Sequence, residues 1–255
     1  MLDQPREQLD GRALRADDLV AERLTPIHEQ LVARLEPRPG ERWLDVATGT
    51  GGIAIRAARA GAEVVGVDIA PALLEQARAN AAGLPIRWDE GEAQDLPYGD
   101  ASFDVVASCF GAIFAPDDQA VARELGRVCR RGGRLGLTAW RAEEDLRAVY
   151  ERAGIGPQEP DPTRWSDESH LRRLLGETFD LELEPGVWRA DFDAPESAWE
   201  WWSTAVPPFV AMLRGLDPER RAAVRGEMLT LAERRHANGC VEFTREYVLV
   251  LGRRR

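Results

Sequence analysis

Leu44-Asp45-Val46-Ala47-Thr48-Gly49-Thr50-Gly51-Gly52 is the stretch that decides the fold. With Trp43, its first three residues make the short apolar run of a buried strand, and the next six form a turn that only small residues can make. Ile53 to Ala60 follows as an Ala-rich helix stopped by Gly61. Strand, glycine turn and helix in immediate succession open a βαβ unit.

Outward from there the alternation continues. Val64 to Asp68 reads as a second strand, and Pro71 to Ala82 as a helix with proline in its first turn. Ile86-Arg87-Trp88 and Phe103 to Ser108 are further strands. A helix between Pro116 and Arg130 carries Val121, Leu125 and Val128 on one face, and Gly132-Gly133 turns the chain into a fifth strand, Arg134 to Trp140. Strands alternating with helices of this length imply right-handed crossovers and a parallel sheet. Upstream, residues 7 to 36 are helical, with Leu24, Ile27, Leu31 and Leu35 at helical spacing until Pro37, Pro39 and Gly40. Downstream the rhythm changes to period two. Leu181, Leu183, Trp188, Ala190 and Phe192 alternate around an interruption at Pro185-Gly186, and Val241, Phe243, Tyr247, Leu249 and Leu251 make a last strand. Two helices fit between them, Pro195 to Val206, ended by Pro207-Pro208, and Pro218 to His236, with Asp217 as N-cap. The expected architecture is α/β: a doubly wound, mostly parallel seven-stranded sheet. Residues 1–40 form an N-terminal helical lid, 41–192 the core, 193–238 a helical cap insertion and 239–255 the final strand.

Composition narrows the function classes. The 255 residues are 44% hydrophobic and 30% charged, an ordinary globular balance, with a net charge of −11 spread over both halves. That charge repels phosphates, so nucleic acid and anionic membrane are poor partners. All 33 basic residues are arginine, which excludes a lysine Schiff base and a Walker-type phosphate loop. Cys109, Cys129 and Cys240, like His28, His170 and His236, lack metal-ligand spacing, so no metal is expected. The odd, sparse cysteine count suits a reducing cytoplasm. No signal peptide or apolar run of membrane length is present in the sequence.

In an open α/β sheet, ligands bind beyond the carboxyl ends of the strands, where the glycine turn lies. Gly49 and Gly51 let a ligand rest on the backbone, and Asp68 ends the second strand at the spacing of a carboxylate that accepts from a ribose diol. A nucleoside is therefore expected. Gly49-x-Gly51-x-x-Ala54 also satisfies a nicotinamide-dinucleotide fingerprint, which keeps an NAD(P)-dependent oxidoreductase open. Asp45 weighs against it. A carboxylate beside a pyrophosphate costs on the order of 4 kcal/mol at ~4 Å and intermediate dielectric, whereas it suits a methionine ammonium beside a sulfonium.

Trp43 to Trp140 resembles the core of the class I methyltransferases dependent on S-adenosylmethionine (SAM), of the small-molecule branch that includes quinone-pathway enzymes. Leu44 to Gly51 is similar to their first motif, with Ala47 in place of the first of three glycines, and Val67-Asp68-Ile69 resembles the ribose-binding strand end. Gly91-Glu92-Ala93 before Leu96-Pro97-Tyr98 resembles the adenine-holding motif, Glu92 replacing a commoner aspartate. Ser102 to Val106 and Arg127 to Gly133 match later landmarks, with Arg131 where proline is usual. The resemblance implies SAM as cofactor, held by Asp45, Ala47, Thr48, Gly49, Gly51, Asp68, Ile69, Glu92, Ala93 and Ser108.

Methyl transfer needs alignment more than acid–base chemistry, so no catalytic residue is assigned. His28 on the N-terminal helix is the one candidate base. Phe110, after the fourth strand, and Trp165 and Trp202, in a tryptophan-rich tail, are expected to line a pocket for a small hydrophobic or aromatic acceptor. The protein is expected to be a monomer or homodimer. A third possibility is a non-catalytic SAM-binding or interaction module whose tryptophans face a partner.

Overall fold

A computed structural model describes residues 20, 22–156 and 161–255. The expected helix before residue 20 lies outside these. The helices are α1 Thr25–Leu35, α2 Gly52–Arg59, α3 Pro71–Asn80, α4 Asp118–Val128, α5 Glu144–Arg152, α6 Glu168–Leu175, α7 Pro195–Ala205, α8 Pro207–Arg214 and α9 Pro218–Arg234. The strands are β1 Arg42–Val46, β2 Glu63–Asp68, β3 Arg87–Glu90, β4 Phe103–Cys109, β5 Cys129–Trp140, β6 Phe179–Phe192, β7 His236–Ala237 and β8 Cys240–Arg254.

The main sheet runs β3-β2-β1-β4-β5-β8-β6, with the two-residue β7 paired to β8. The first five strands are parallel; β8 is antiparallel to both β5 and β6. This is the doubly wound, mostly parallel sheet of seven long strands. The order reverses at β1, where the chain goes one way to β2 and returns to β4, which opens a crevice above the carboxyl ends of β1 and β4.

The central strands are buried on both faces, so they are near-continuous apolar runs. Trp43, Leu44, Val105, Val106 and Leu135 are all sealed, each stabilising the fold by roughly 1.5–3 kcal/mol relative to exposure. α1 lies on the sheet because β5 has no side chain at Gly136, where a Cβ would stand 2.6 Å from Leu35 and 2.7 Å from Leu31. Arg134 fixes the same helix end, its Nε donating to the Leu35 carbonyl at 2.9 Å while its terminal nitrogen pairs with Glu41 at 2.5 Å.

Two expectations are corrected. Pro185-Gly186 does not interrupt a strand; β6 runs through it in register with β8, Gly186 opposite Tyr247. β6 is an edge strand, so the missing proline N–H is tolerated, and a Cβ on Gly186 would lie 2.1 Å from the Tyr247 ring. The segment between β6 and β8 holds three helices, not two. Pro207 and Pro208 end α7 and also begin α8, because proline suits the first helical turn as well as it blocks an interior. Asp217 caps α9 as expected, accepting from Arg220 N at 2.9 Å.

Candidate functional site

β1 delivers Asp45 into the core directly beneath the glycine turn. The carboxylate is 1% exposed, and one oxygen accepts from Thr48 Oγ1 at 2.7 Å and from the Ala54 amide at 3.0 Å. Burial pushes its pKa up to about 7 against those two bonds, with the nearby Asp68 charge adding to the rise. Asp45 thus organises the turn from below, and its burial disfavours the charged form.

The turn itself rests on Asp68, whose two oxygens accept from Gly49 N at 2.8 Å and Ala70 N at 3.0 Å. The carboxylate is 6% exposed, and burial raises its pKa although the Ala70, Gly49 and Ile69 amides oppose it. Gly49 and Gly51 have left-handed backbones, φ 55° and 87°. Nothing lies within 4 Å of where a Gly49 Cβ would stand, whereas one on Gly51 would meet Trp88 at 2.8 Å. Trp88 therefore seals the turn from the β3 side, a support that sequence reading missed because the residue looks like an ordinary strand member.

Ala47, also left-handed at φ 53°, carries the methyl group that replaces a motif glycine. The space it needs comes from Gly111, where a Cβ would fall 2.4 Å from the Ala47 Cβ and 2.8 Å from its carbonyl oxygen. The departure at 47 and the glycine at 111 form a matched pair. Thr48 is buried with Asp45. Ile69, just past Asp68, turns an apolar side chain outward at 54% exposure. The chain after β3 joins this edge through Gly91 N, which donates to the Asp68 carbonyl at 3.0 Å. Glu92 is exposed there, its backbone forming an isolated β-bridge with Asp95, and Ala93 is half-buried beside it.

Across the crevice, β4 carries buried Ser108 one residue before its end, and its Oγ accepts from Ala112 N at 3.0 Å. Phe110 has φ 57°, a costly conformation for an aromatic residue. It is held because its amide donates to Thr138 Oγ1 at 3.0 Å and its ring stacks on Trp140, centroids 3.8 Å apart and 3° from parallel. Tyr247 packs edge-on to both rings and donates its hydroxyl hydrogen to Gln30 of α1. Trp188 follows edge-on to Trp140, then Trp201, Trp202 and Phe209, so aromatic contacts run unbroken from β4 to α8. Trp202 is part of that wall. Trp165 is not: it is fully buried in the 3-10 turn Pro162–Ser166 packed on β5, with no ring neighbour among the described aromatic pairs.

The wall was only partly legible. Trp140, Trp188 and Tyr247 come from three strands far apart in sequence; the available clue was that they end or alternate within strands whose partners were unknown.

His28 is buried between α1 and the first turn of α2, so close to Gly52 that a Cβ there would stand 2.5 Å from the imidazole. Burial, aided by the Arg56 charge, pulls its pKa down to about 4. It is neutral at pH 7, a weak base in a packing position. Burial pushes the Cys109 thiol up to about 12, so no thiolate is available there.

Residues 44–133 match the family profile described as a methyltransferase domain. Over 97% of its length the chain is 33% identical to the uncharacterized protein Rv1405c of Mycobacterium tuberculosis, 92% of which is covered. A second match, 46% identical over 105 residues, aligns 40% of this chain with 47% of the demethylmenaquinone methyltransferase of Thermus thermophilus. The crystal structure of YcgJ from Bacillus subtilis superposes with a TM-score of 0.62 at 21% identity, covering 89% of this chain and 97% of that one, which establishes the shared fold.

Proposed function

The chain belongs to the class I SAM-dependent methyltransferases, and on that premise we propose that it transfers the methyl group of SAM to a small hydrophobic or aromatic acceptor, at oxygen, nitrogen or carbon. The observation that carries this reading is the coupling of Asp68 to the turn: one carboxylate at the carboxyl end of β2 fixes Gly49 beside an outward-facing Ile69.

The residues fit a nucleoside. Open space stands over Gly49, a carboxylate acceptor lies at the carboxyl end of β2, and Ile69 offers an apolar surface for a flat base. Asp68 would accept from the ribose hydroxyls, Ile69 and the Glu92-Ala93 segment would flank the adenine, and Gly49, Gly51 and Ser108 would border the methionine end. Ala47 and Thr48 shape the turn and Asp45 braces it. When bound, SAM supplies an electrophilic methyl on a sulfonium, with a neutral thioether as leaving group.

This chain then has to orient the acceptor and keep the crevice dry, and orientation alone is worth roughly 7–11 kcal/mol. Phe110 and Trp140, locked face to face, give a flat apolar wall at the end of β4 where the acceptor would lie. α1, the N-terminal lid of this reading, packs beside it through Gln30 and Tyr247, and α7–α9 form the cap. No general base is assigned, since His28 is buried and pulled to about 4.

The test is transfer of labelled methyl from SAM to a panel of phenols, quinols, aryl amines and aromatic acids. Labelled products from at least one flat acceptor are expected. SAM binding without any turnover would favour the silent binding module.

A further inference from the structure

One cation on the acceptor side has no ion-pair or hydrogen-bond partner among the described residues. Arg245 of β8 sits in register with Trp188 and two residues before Tyr247, the partner of Trp140, so it shares the sheet face that carries the aromatic wall. Its guanidinium carbon lies 4.6 Å over the Trp140 ring. Its Nε is sealed from solvent and has no hydrogen-bond partner among the described residues, and no ion pair reaches it there.

The acids around it are committed elsewhere. Glu143 pairs with Arg235 at 2.8 Å, a nitrogen that Asp145 also holds at 2.7 Å. Asp161 caps its own 3-10 turn, accepting from Thr163 N at 2.8 Å and Thr163 Oγ1 at 2.7 Å. Tyr150, the remaining polar neighbour, is held protonated by burial, its hydroxyl pushed up to about 12. Desolvation pulls the Arg245 pKa down, against the Glu143, Tyr150 and Asp161 contributions.

Sealing a guanidinium N–H from water without a hydrogen-bond partner leaves the desolvation cost of that donor unoffset. The ring beneath offsets part of that cost by cation–π attraction but satisfies no N–H. A planar fork of donors against a flat aromatic wall is the arrangement that takes a carboxylate or phosphate attached to an aromatic body. We infer that Arg245 is the anion-binding residue of the acceptor site, so that the molecule methylated is a flat apolar compound bearing an oxyanion, seated with its apolar body beside the Phe110–Trp140 stack and its charge on Arg245. This rests on the methyltransferase reading and narrows it from any hydrophobic acceptor to an acidic one.

The test compares isosteric pairs on the whole protein loaded with S-adenosylhomocysteine (SAH), followed by calorimetry and tryptophan fluorescence. The probes are benzoate against benzamide, 2-naphthoate against 2-naphthamide, and 2-naphthyl phosphate against 2-naphthol. In at least one pair the anion should bind tenfold or more tightly than its neutral twin, and the class that wins distinguishes carboxylate from phosphate. Arg245→Gln should abolish that preference, while Arg253→Gln, exposed at the far end of β8, should leave it intact. Should Arg245→Gln fail to fold, Arg245→Lys keeps the charge without the fork and should retain a reduced preference. Equal affinity for acid and neutral twin in every pair, or a preference that survives Arg245→Gln, overturns the inference. SAH binding without anion preference would fault this inference alone; anion preference without SAH binding would fault the cofactor reading and leave Arg245 standing.

Discussion

The crevice has two sides built by different means. The glycine-turn side takes all its groups from residues 45 to 93, within consecutive strand–helix units, and works mainly through backbone amides and two buried carboxylates. The opposite side takes Phe110, Trp140, Trp188, Arg245 and Tyr247 from the end of β4 and from strands that meet only when the sheet closes, and works through rings and one cation without an ion pair among the described residues. The first side can be specified by a local motif, because it is built mostly from main chain. The second is specified by strand register, because only pairing of β5, β8 and β6 brings its residues to one face.

The sides meet at Ala47 and Gly111, and breaking that contact should have the largest effect. Gly111→Ala forces a Cβ onto Ala47, and a loss of about 3 kcal/mol is expected in urea unfolding. Adding Ala47→Gly should recover a substantial part of it. If the double variant is as unstable as the single one, the two sides are not interlocked there.

The turn side also carries two groups that titrate in opposite senses. His28 has its folded pKa lowered from 6.5 to about 4, so the unfolded chain binds the proton first and stability falls as pH drops through that window. Asp45 has its folded pKa raised from 3.8 to about 7, so stability falls as pH rises through that window. Relative to the unmodified protein, His28→Leu should gain on acidification from pH 6.5 to 4, by about 2 kcal/mol. Asp45→Asn should gain as pH rises from 4 to 7. Denaturation midpoints across pH measure both, and slopes of the same sign would contradict the geometry.

A smaller effect should confine itself to the other side. Trp140→Leu removes the stack on Phe110 and the cation–π contact to Arg245, costing about 1 kcal/mol of stability. SAH affinity should stay within about twofold, while KM for any acceptor rises at least severalfold. An equal fall in SAH binding would show that the wall belongs to the cofactor.

The contrast also explains what the sequence made legible. The strands from Trp43 to Trp140 announce themselves because parallel strands buried on both faces are short apolar runs between glycine and proline. That a carboxylate at the end of β2 stands at the glycine turn is legible in its spacing from Gly49, and the structure joins the two at 2.8 Å. The bracing by Asp45 is not legible, because a charge on a one-letter string says nothing of burial; only its place below the turn shows that it holds Thr48 and Ala54. Gly186 looked like a break because the ring it accommodates, Tyr247, is far along the chain. Arg245 gives no signal in the sequence, since one arginine among 33 in a chain of net charge −11 reads as solvated until its neighbours are known.

The most direct measurement is calorimetric titration of SAH and, separately, of NAD and NADP into the whole protein and its Asp68→Ala variant. One SAH per chain should bind, with affinity falling about 10- to 100-fold when the ribose acceptor is removed, and neither dinucleotide should compete. Dinucleotide binding at the same site, or SAH affinity indifferent to Asp68, would contradict the account.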